Sequence, residues 1–329
     1  MSPVSPSVIW QLNEKELLKI LDSDSLPKRS REIRFYAPSF MYYKTKYYCP
    51  SSRDFPTISV TGSGCALNCK HCGGRVLNTM YAATTPKRLF EICSELKENG
   101  AKGCLLSGGC LPDGTVPLAA FVNAIARIKK ELGLTVFVHT GIVDDAMAEA
   151  LKEAGVDAAL MDVLGSDETI KEICNLNITV KDYALSLRAL AMSEIPFVPH
   201  VIVGLHYGKL KGEQRALQMI SEYLPSSLVI IAFMPIRNTV MEKVKPPQPY
   251  DIARVLMSAR ITFPSTPLVL GCMRARDKSQ SETEIMAIKA GVDGIAFPTE
   301  GAIRFAESQG LKTSFSSYCC SQIYVDVKP

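Results

Sequence analysis

The sequence predicts an α/β fold of the (β/α)8, TIM-type barrel class, and three observations carry that prediction. From Thr57 onward, short β-branched runs alternate with amphipathic helical stretches, as a chain of βαβ units requires. The turn Ala-Gly-Val-Asp recurs at residues 154–157 and 290–293, each time leading from a helix into an apolar strand. No glycine-rich dinucleotide fingerprint follows the first strand, which favours a barrel over an open doubly wound sheet.

Eight strands are expected, at residues 57–60, 103–106, 135–138, 158–161, 197–203, 228–233, 267–270 and 294–297. The helices between them show a 3.6-residue period. Leu89, Ile92, Cys93 and Leu96 share one face, as do Met147, Ala150, Leu151 and Ala154. Pro86 suits a first helical turn, while Gly100, Gly155 and Gly291 fall just past helix ends.

Three regions follow. Residues 1–50 form an N-terminal extension, with a short amphipathic helix over 14–21 and an aromatic run (Phe35, Tyr36, Phe40, Tyr42, Tyr43, Tyr47, Tyr48) that packs its rings on the main body. Residues 51–298 form the barrel, and 299–329 a helix with a polar tail. Both flanks are expected over the open face, where loops at the C-terminal ends of the strands carry chemistry.

Composition narrows the function. The 329 residues are 47% hydrophobic, enough for a large core. A net charge of +4, from 37 basic and 33 acidic residues spread along the chain, argues against nucleic-acid binding. The longest apolar run, 228–234, falls short of the ~20 residues a bilayer needs, and the N-terminus reads as no secretory signal. A cytoplasmic protein without a membrane partner is expected. Eleven cysteines, an odd number, then point to metal or redox chemistry rather than a disulfide framework.

The first strand runs into Thr61-Gly-Ser-Gly-Cys65-Ala-Leu-Asn-Cys69-Lys-His-Cys72-Gly-Gly. Three thiolates in so short a loop suit three irons of a 4Fe–4S cluster and leave the fourth iron open. Zinc is the alternative; it wants four ligands, and His71 lies inside the triplet. Cys65-x3-Cys69-x2-Cys72 after the first barrel strand resembles the radical S-adenosylmethionine (radical SAM) superfamily, over roughly residues 57–297. The resemblance implies that the open iron chelates S-adenosylmethionine. The reduced cluster then cleaves the sulfonium to a 5′-deoxyadenosyl radical, with Cys65, Cys69 and Cys72 as the catalytic cluster ligands. It also implies that Gly108 and Gly109, in Ser107-Gly-Gly-Cys110, receive the methionine amino group. Cys110 stands where the family has glutamate. His71 matches the position of a ring beside the adenine, and Gly204 the glycine of the strand that packs on it.

Other residues follow barrel strands. His139 and Asp162 are placed to contact the ribose or methionine carboxylate, or else are a satisfied histidine and a helix-capping aspartate. Arg274 calls for an anionic partner, such as a carboxylate of the cofactor or of an acidic substrate. Cys110 and Cys272 also point to the mouth, whereas Cys93, Cys104 and Cys174 read as core filler.

Cys49, Cys319 and Cys320 lie outside the barrel. Either they converge on a second, auxiliary 4Fe–4S cluster, or they are surface thiols. Ser316-Ser317-Tyr318 is similar to an Arg-Ser-Ser-Tyr element of lipoyl synthases, with Phe315 in place of arginine, which implies Ser316 or Ser317 as a fourth ligand. Gly108 to Leu118 and Gly271-Cys272-Met273-Arg274 resemble the biotin-synthase-related branch, which includes the first subunit of two-component lipoyl synthases. That resemblance implies a sulfurtransferase that inserts sulfur at unactivated carbon of a protein-bound octanoyl chain. Its partners would be an octanoylated lipoyl-carrier domain, a second radical SAM subunit, and an electron donor such as ferredoxin or flavodoxin. The alternatives are a radical SAM enzyme without sulfur insertion (mutase, lyase or methyltransferase) and a non-catalytic iron–sulfur protein.

Overall fold

A computed structural model describes residues 5–23, 25–27, 30–51 and 53–327. Its centre is one parallel sheet of 11 strands. In chain order these are β1 (Glu32–Tyr36), β2 (Thr57–Ser59), β3 (Tyr81–Ala82), β4 (Gly103–Ser107), β5 (Thr135–His139), β6 (Ala158–Asp162), β7 (Phe197–Val203), β8 (Leu228–Ala232), β9 (Leu268–Leu270), β10 (Gly294–Ala296) and β11 (Lys312–Ser316). Their spatial order is β11-β1-β10-β9-β8-β7-β6-β5-β4-β2-β3. All eight expected strands are present, in sequential order from β4 to β10.

The sheet curls as a TIM-type barrel does, but among the described residues no pairing joins β3 to β11. Side chains alternate across it. Leu228, Ile230 and Ala232 of β8 pack outward beneath the helices, while Val229 and Ile231 face the interior. Phe137, Leu160, Val198 and Val269 join them on that inner face.

Local chemistry explains why the elements form where they do. The helix Pro86–Glu98 buries Leu89, Ile92, Cys93 and Leu96, and the Thr85 side chain caps it. The helix Asp145–Glu153 is rotated slightly from expectation: Ala148 and Leu151 are buried, with Met147 at the edge of the stripe. Each Ala-Gly-Val-Asp turn has one structural cause. Its glycine is left-handed (φ 76 at Gly155, 83 at Gly291), and its aspartate clamps the preceding strand. Asp157 Oδ2 accepts from the Val136 N–H at 2.7 Å and Lys129 at 2.5 Å. Asp293 Oδ2 accepts from the Leu268 N–H at 2.9 Å and Arg260 at 2.5 Å.

The flanks differ from expectation, because both contribute strands. β1 pairs with β10 on one side and β11 on the other, so the sheet itself draws on residues before and after the barrel. The aromatic run does pack on the body: Phe40 and Tyr43 lie edge-on to Phe297, and Tyr48 stacks on Phe315. Near the ends of β10, Tyr43 donates to the Pro298 carbonyl and the Lys46 N–H to Glu300. The C-terminal tail instead meets residues that precede strands. Lys102 donates to Ser317, Tyr324 to the Asp157 carbonyl, and Ser227 to the Ser321 carbonyl. It therefore closes the interior from the end opposite the cysteine loop, not over the open face.

Candidate functional site

The loop after β2 is stitched to its surroundings by hydrogen bonds on three sides. Thr61 Oγ1 accepts from the Gly109 N–H at 2.7 Å, and the Ala66 N–H donates to the Cys110 carbonyl at 2.8 Å, which ties it to the loop after β4. The Lys70 N–H donates to Ile173 at the end of the helix Asp167–Cys174. Asn175, left-handed at that helix end, donates its amide to the Leu67 and Asn68 carbonyls at 3.1 and 2.9 Å. On the third side, Arg75 donates to the Asn238 carbonyl.

This frame presents Cys65 half-buried and Cys69 and Cys72 buried. Cys69, His71 and Cys72 offer donor atoms within 4.8 Å of one another, and the Cys65 thiol falls outside that group. A single zinc ion with ~2.3 Å bonds to sulfur draws its donors to within about 4 Å of each other. The wider spread of three thiols fits a polynuclear iron–sulfur group. The Cys72 thiol is pushed up to about 12 by its hydrogen bond to Cys69 and by burial, and Cys69, bonded to the Cys174 carbonyl, is raised too. Metal binding here therefore displaces protons. The His71 Nδ1 is buried without a hydrogen-bond partner among the described residues, a polar atom left over for a ligand.

The glycines around this loop have distinct reasons. A Cβ on Gly109 would stand 2.0 Å from the Gly64 carbonyl and 2.6 Å from the Cys65 Cα, so Gly109 lets the two loops touch. Gly108 faces Val60. Gly204, after β7, has φ +72 and lies against Pro247. Its N–H donates to the buried Glu213 carboxylate at 2.8 Å, which also accepts from the Lys211 N–H at 2.6 Å.

His139 and Asp162 lie on adjacent strands, with His139 Nε2 3.7 Å from Asp162 Oδ1. Beside them stands His200, which in the sequence flanks the fifth expected strand without the spacing of a zinc ligand. His200 lies within β7, in register with Asp162, and burial in company with His139 lowers its pKa to about 4. The missing signal was strand register, which no local pattern carries. Cys110 is close enough for the Asp162 charge to add to the burial that raises its thiol to about 12.

Arg274 departs from the expectation of a cofactor contact. It is buried, paired with Glu284 at 2.5 Å, and donates to the Gly271, Ala296 and Phe297 carbonyls. Its anionic partner is the protein's own. Cys49 departs as well: it is exposed, and among the described residues its thiol meets only the neighbouring Pro50 carbonyl. Neither Cys49 nor Cys272 gathers its thiol with those of Cys319 and Cys320 within 4.8 Å. Cys319 and Cys320 pack with Cys272 on the inner face of the sheet. Cys320 lowers Cys319 to about 7 through a hydrogen bond, and burial with Cys319 as neighbour raises Cys272 to about 11. The serines are committed elsewhere: Ser317 accepts from Lys102, and Ser316 from the Tyr318 N–H. No helix among the described residues is long and apolar enough to cross a membrane.

Comparison with known proteins agrees with this architecture. The sequence profile of the radical SAM superfamily matches residues 59–210, the stretch that holds the cysteine loop, the Gly108–Gly109 turn and β7. A biotin synthase of Leptospira biflexa is 28% identical over 82% of this chain and 75% of its own length. One from Prochlorococcus marinus is 26% identical over 88% and 81%. Among solved structures, HydG, a maturase of the FeFe-hydrogenase, superposes with a TM-score of 0.66 at 15% identity, over 99% of this chain and 74% of that one. Methylornithine synthase does so with 0.62 at 14% identity, over 94% of each. With three thiols on the loop after β2, residues 59–210 match the radical SAM superfamily, and most of the chain is similar to biotin synthases.

Proposed function

We propose that this radical SAM enzyme inserts sulfur at an unactivated carbon, and that its substrate is an octanoyl chain borne on a lipoyl-carrier protein domain. A 4Fe–4S cluster on Cys65, Cys69 and Cys72 supplies, with S-adenosylmethionine, the radical that removes hydrogen from such a carbon. The chain's own residues position that chemistry. The Asn175 and Gly109 contacts fix the loop, His71 stands within it, and the bare Cα of Gly109 lets the loop after β4 lie against Cys65.

The observation that carries sulfur insertion is the second thiol group. Cys272, Cys319 and Cys320 share the inner face of the barrel, where a sulfide-donating auxiliary 4Fe–4S cluster would face the substrate chain. This reading replaces Cys49 by Cys272 in the ligand set. Biotin synthases among the sequence relatives support it, as does an apolar interior of Phe137, Leu160, Val198 and Val229 suited to an acyl chain. A second radical SAM subunit and a low-potential donor such as ferredoxin or flavodoxin complete the system.

The test is anaerobic turnover of an octanoylated carrier-domain peptide, with and without a candidate second subunit, read by mass spectrometry. The reading requires two clusters' worth of iron per chain and a peptide that gains sulfur. Cys272→Ala with Cys319→Ala should keep 5′-deoxyadenosine formation and lose sulfur transfer. One cluster's iron, or continued thiolation in that variant, overturns it.

A further inference from the structure

The inner face of the sheet carries a second constellation of metal-ligating side chains. His139 ends β5, Asp162 ends β6, and His200 lies in β7; alternation with Phe137, Leu160 and Val198 turns all three inward. Asp162 and His200 are register partners, and His139 is opposite Leu160, two residues below Asp162. Their donor atoms lie within 4.8 Å of one another, with the two imidazole centroids 5.6 Å apart.

Each group is prepared as a ligand. The His200 Nδ1 lies 3.0 Å from the Val198 carbonyl, which fixes the proton on Nδ1 and leaves the Nε2 lone pair free. A second ring nitrogen held by a backbone carbonyl is the usual support of a metal-bound histidine. Among the described residues, Nε2 has only Ser321 Oγ, at 3.5 Å. Among the described residues, the buried Asp162 Oδ1 has no hydrogen-bond partner and no lysine or arginine pairs with it. The contrast is Glu168, Glu172 and His206, which cluster as closely but are already satisfied. Lys211 pairs with Glu168 at 2.5 Å, Tyr207 donates to Glu172 at 2.7 Å, and Thr169 bonds His206 at 3.2 Å.

We propose that His139, Asp162 and His200 bind one divalent first-row metal ion of the iron(II) or manganese(II) type, at a site distinct from both thiol groups. Two imidazoles and one carboxylate form the facial set that such ions accept. That set leaves coordination positions open for an oxygen ligand, such as a carboxylate or carbonyl. The inference does not rest on sulfur insertion.

Manganese(II) alone is the probe, titrated into the full, cluster-loaded chain with the free ion followed by electron paramagnetic resonance. It favours oxygen and nitrogen donors over thiols. One ion should bind per chain, and spin-echo modulation should detect two imidazole nitrogens. His200→Ala and His139→Ala should each weaken binding by roughly 100-fold or more, a ligand costing at least what its outer-shell support does. Glu168→Gln should change nothing. Should the buried His200→Ala variant not fold, the part-exposed His139→Ala carries the comparison. No binding to the wild type, a bound ion without nitrogen coupling, unchanged affinity in either folded histidine variant, or loss in Glu168→Gln overturns the site.

Discussion

Gly109 lies against Cys65 with no room for a side chain: a Cβ there would stand 2.6 Å from both the Cys65 Cα and Cβ. The loop after β4 is thus a wall of the cluster loop. Gly109→Ala should displace Cys65 and cost about 1–3 kcal/mol, the usual penalty of overpacking. Iron bound per chain after anaerobic reconstitution should fall sharply. Gly108→Ala, whose Cβ would meet side chains at 3.0 Å or beyond, should lose less. Equal iron content in the two variants contradicts the argument.

Asn175 holds the other side of the same loop, in a left-handed conformation at φ 53. Asn175→Ala removes two hydrogen bonds to the loop and adds backbone strain, so about 2–3 kcal/mol of stability should be lost. Asn175→Gly relieves the strain but not the bonds. It should recover part of the melting temperature while its cluster bleaches in air as fast as that of the alanine variant. Identical melting of the two variants rejects the strain component.

How much of this was legible in the sequence depends on whether the cause was local. The eight inner strands announce themselves as β-branched runs, and the cysteine loop by spacing alone. β11, Lys-Thr-Ser-Phe-Ser, is polar, and β1 sits in an aromatic stretch; both are strands because a parallel neighbour accepts them. The distance between Cys49 and Cys320 depends on which end of the barrel the tail enters, fixed by Lys102, Asp157 and Ser227 far back in the chain. His200 lacks the spacing of a metal ligand in the sequence for the same reason. Only the register of β6 with β7 sets it beside Asp162.

Arg274 and Glu284 form an ion pair with side chains 1% and 0% exposed. Removing one partner strands a buried charge, so Arg274→Met should cost about 3–5 kcal/mol in urea unfolding. Adding Glu284→Gln should return part of that. Because Arg274 is spent on Glu284 and three carbonyls, the affinity of the folded fraction for S-adenosylmethionine should stay near wild type. A large, selective loss of that affinity in a stably folded Arg274 variant restores the cofactor contact.

Glu213 links the β7 loop to pH. Burial raises its carboxyl above the ordinary 4.5, against the opposing pull of the Gly204 and Lys211 N–H groups. A carboxyl whose folded value is raised binds more protons folded than unfolded. Its contribution to stability is then full below about pH 4.5 and declines as pH rises through the raised folded value. Glu213→Gln removes that titration. It also sets an amide N–H against a backbone N–H and so costs about 1–3 kcal/mol at any pH. The wild-type advantage in melting temperature should therefore be largest in acid and shrink through the window above pH 4.5. A gap between the two proteins that is constant with pH, or that widens as pH rises, shows that the Glu213 carboxyl is ionised throughout in the folded chain.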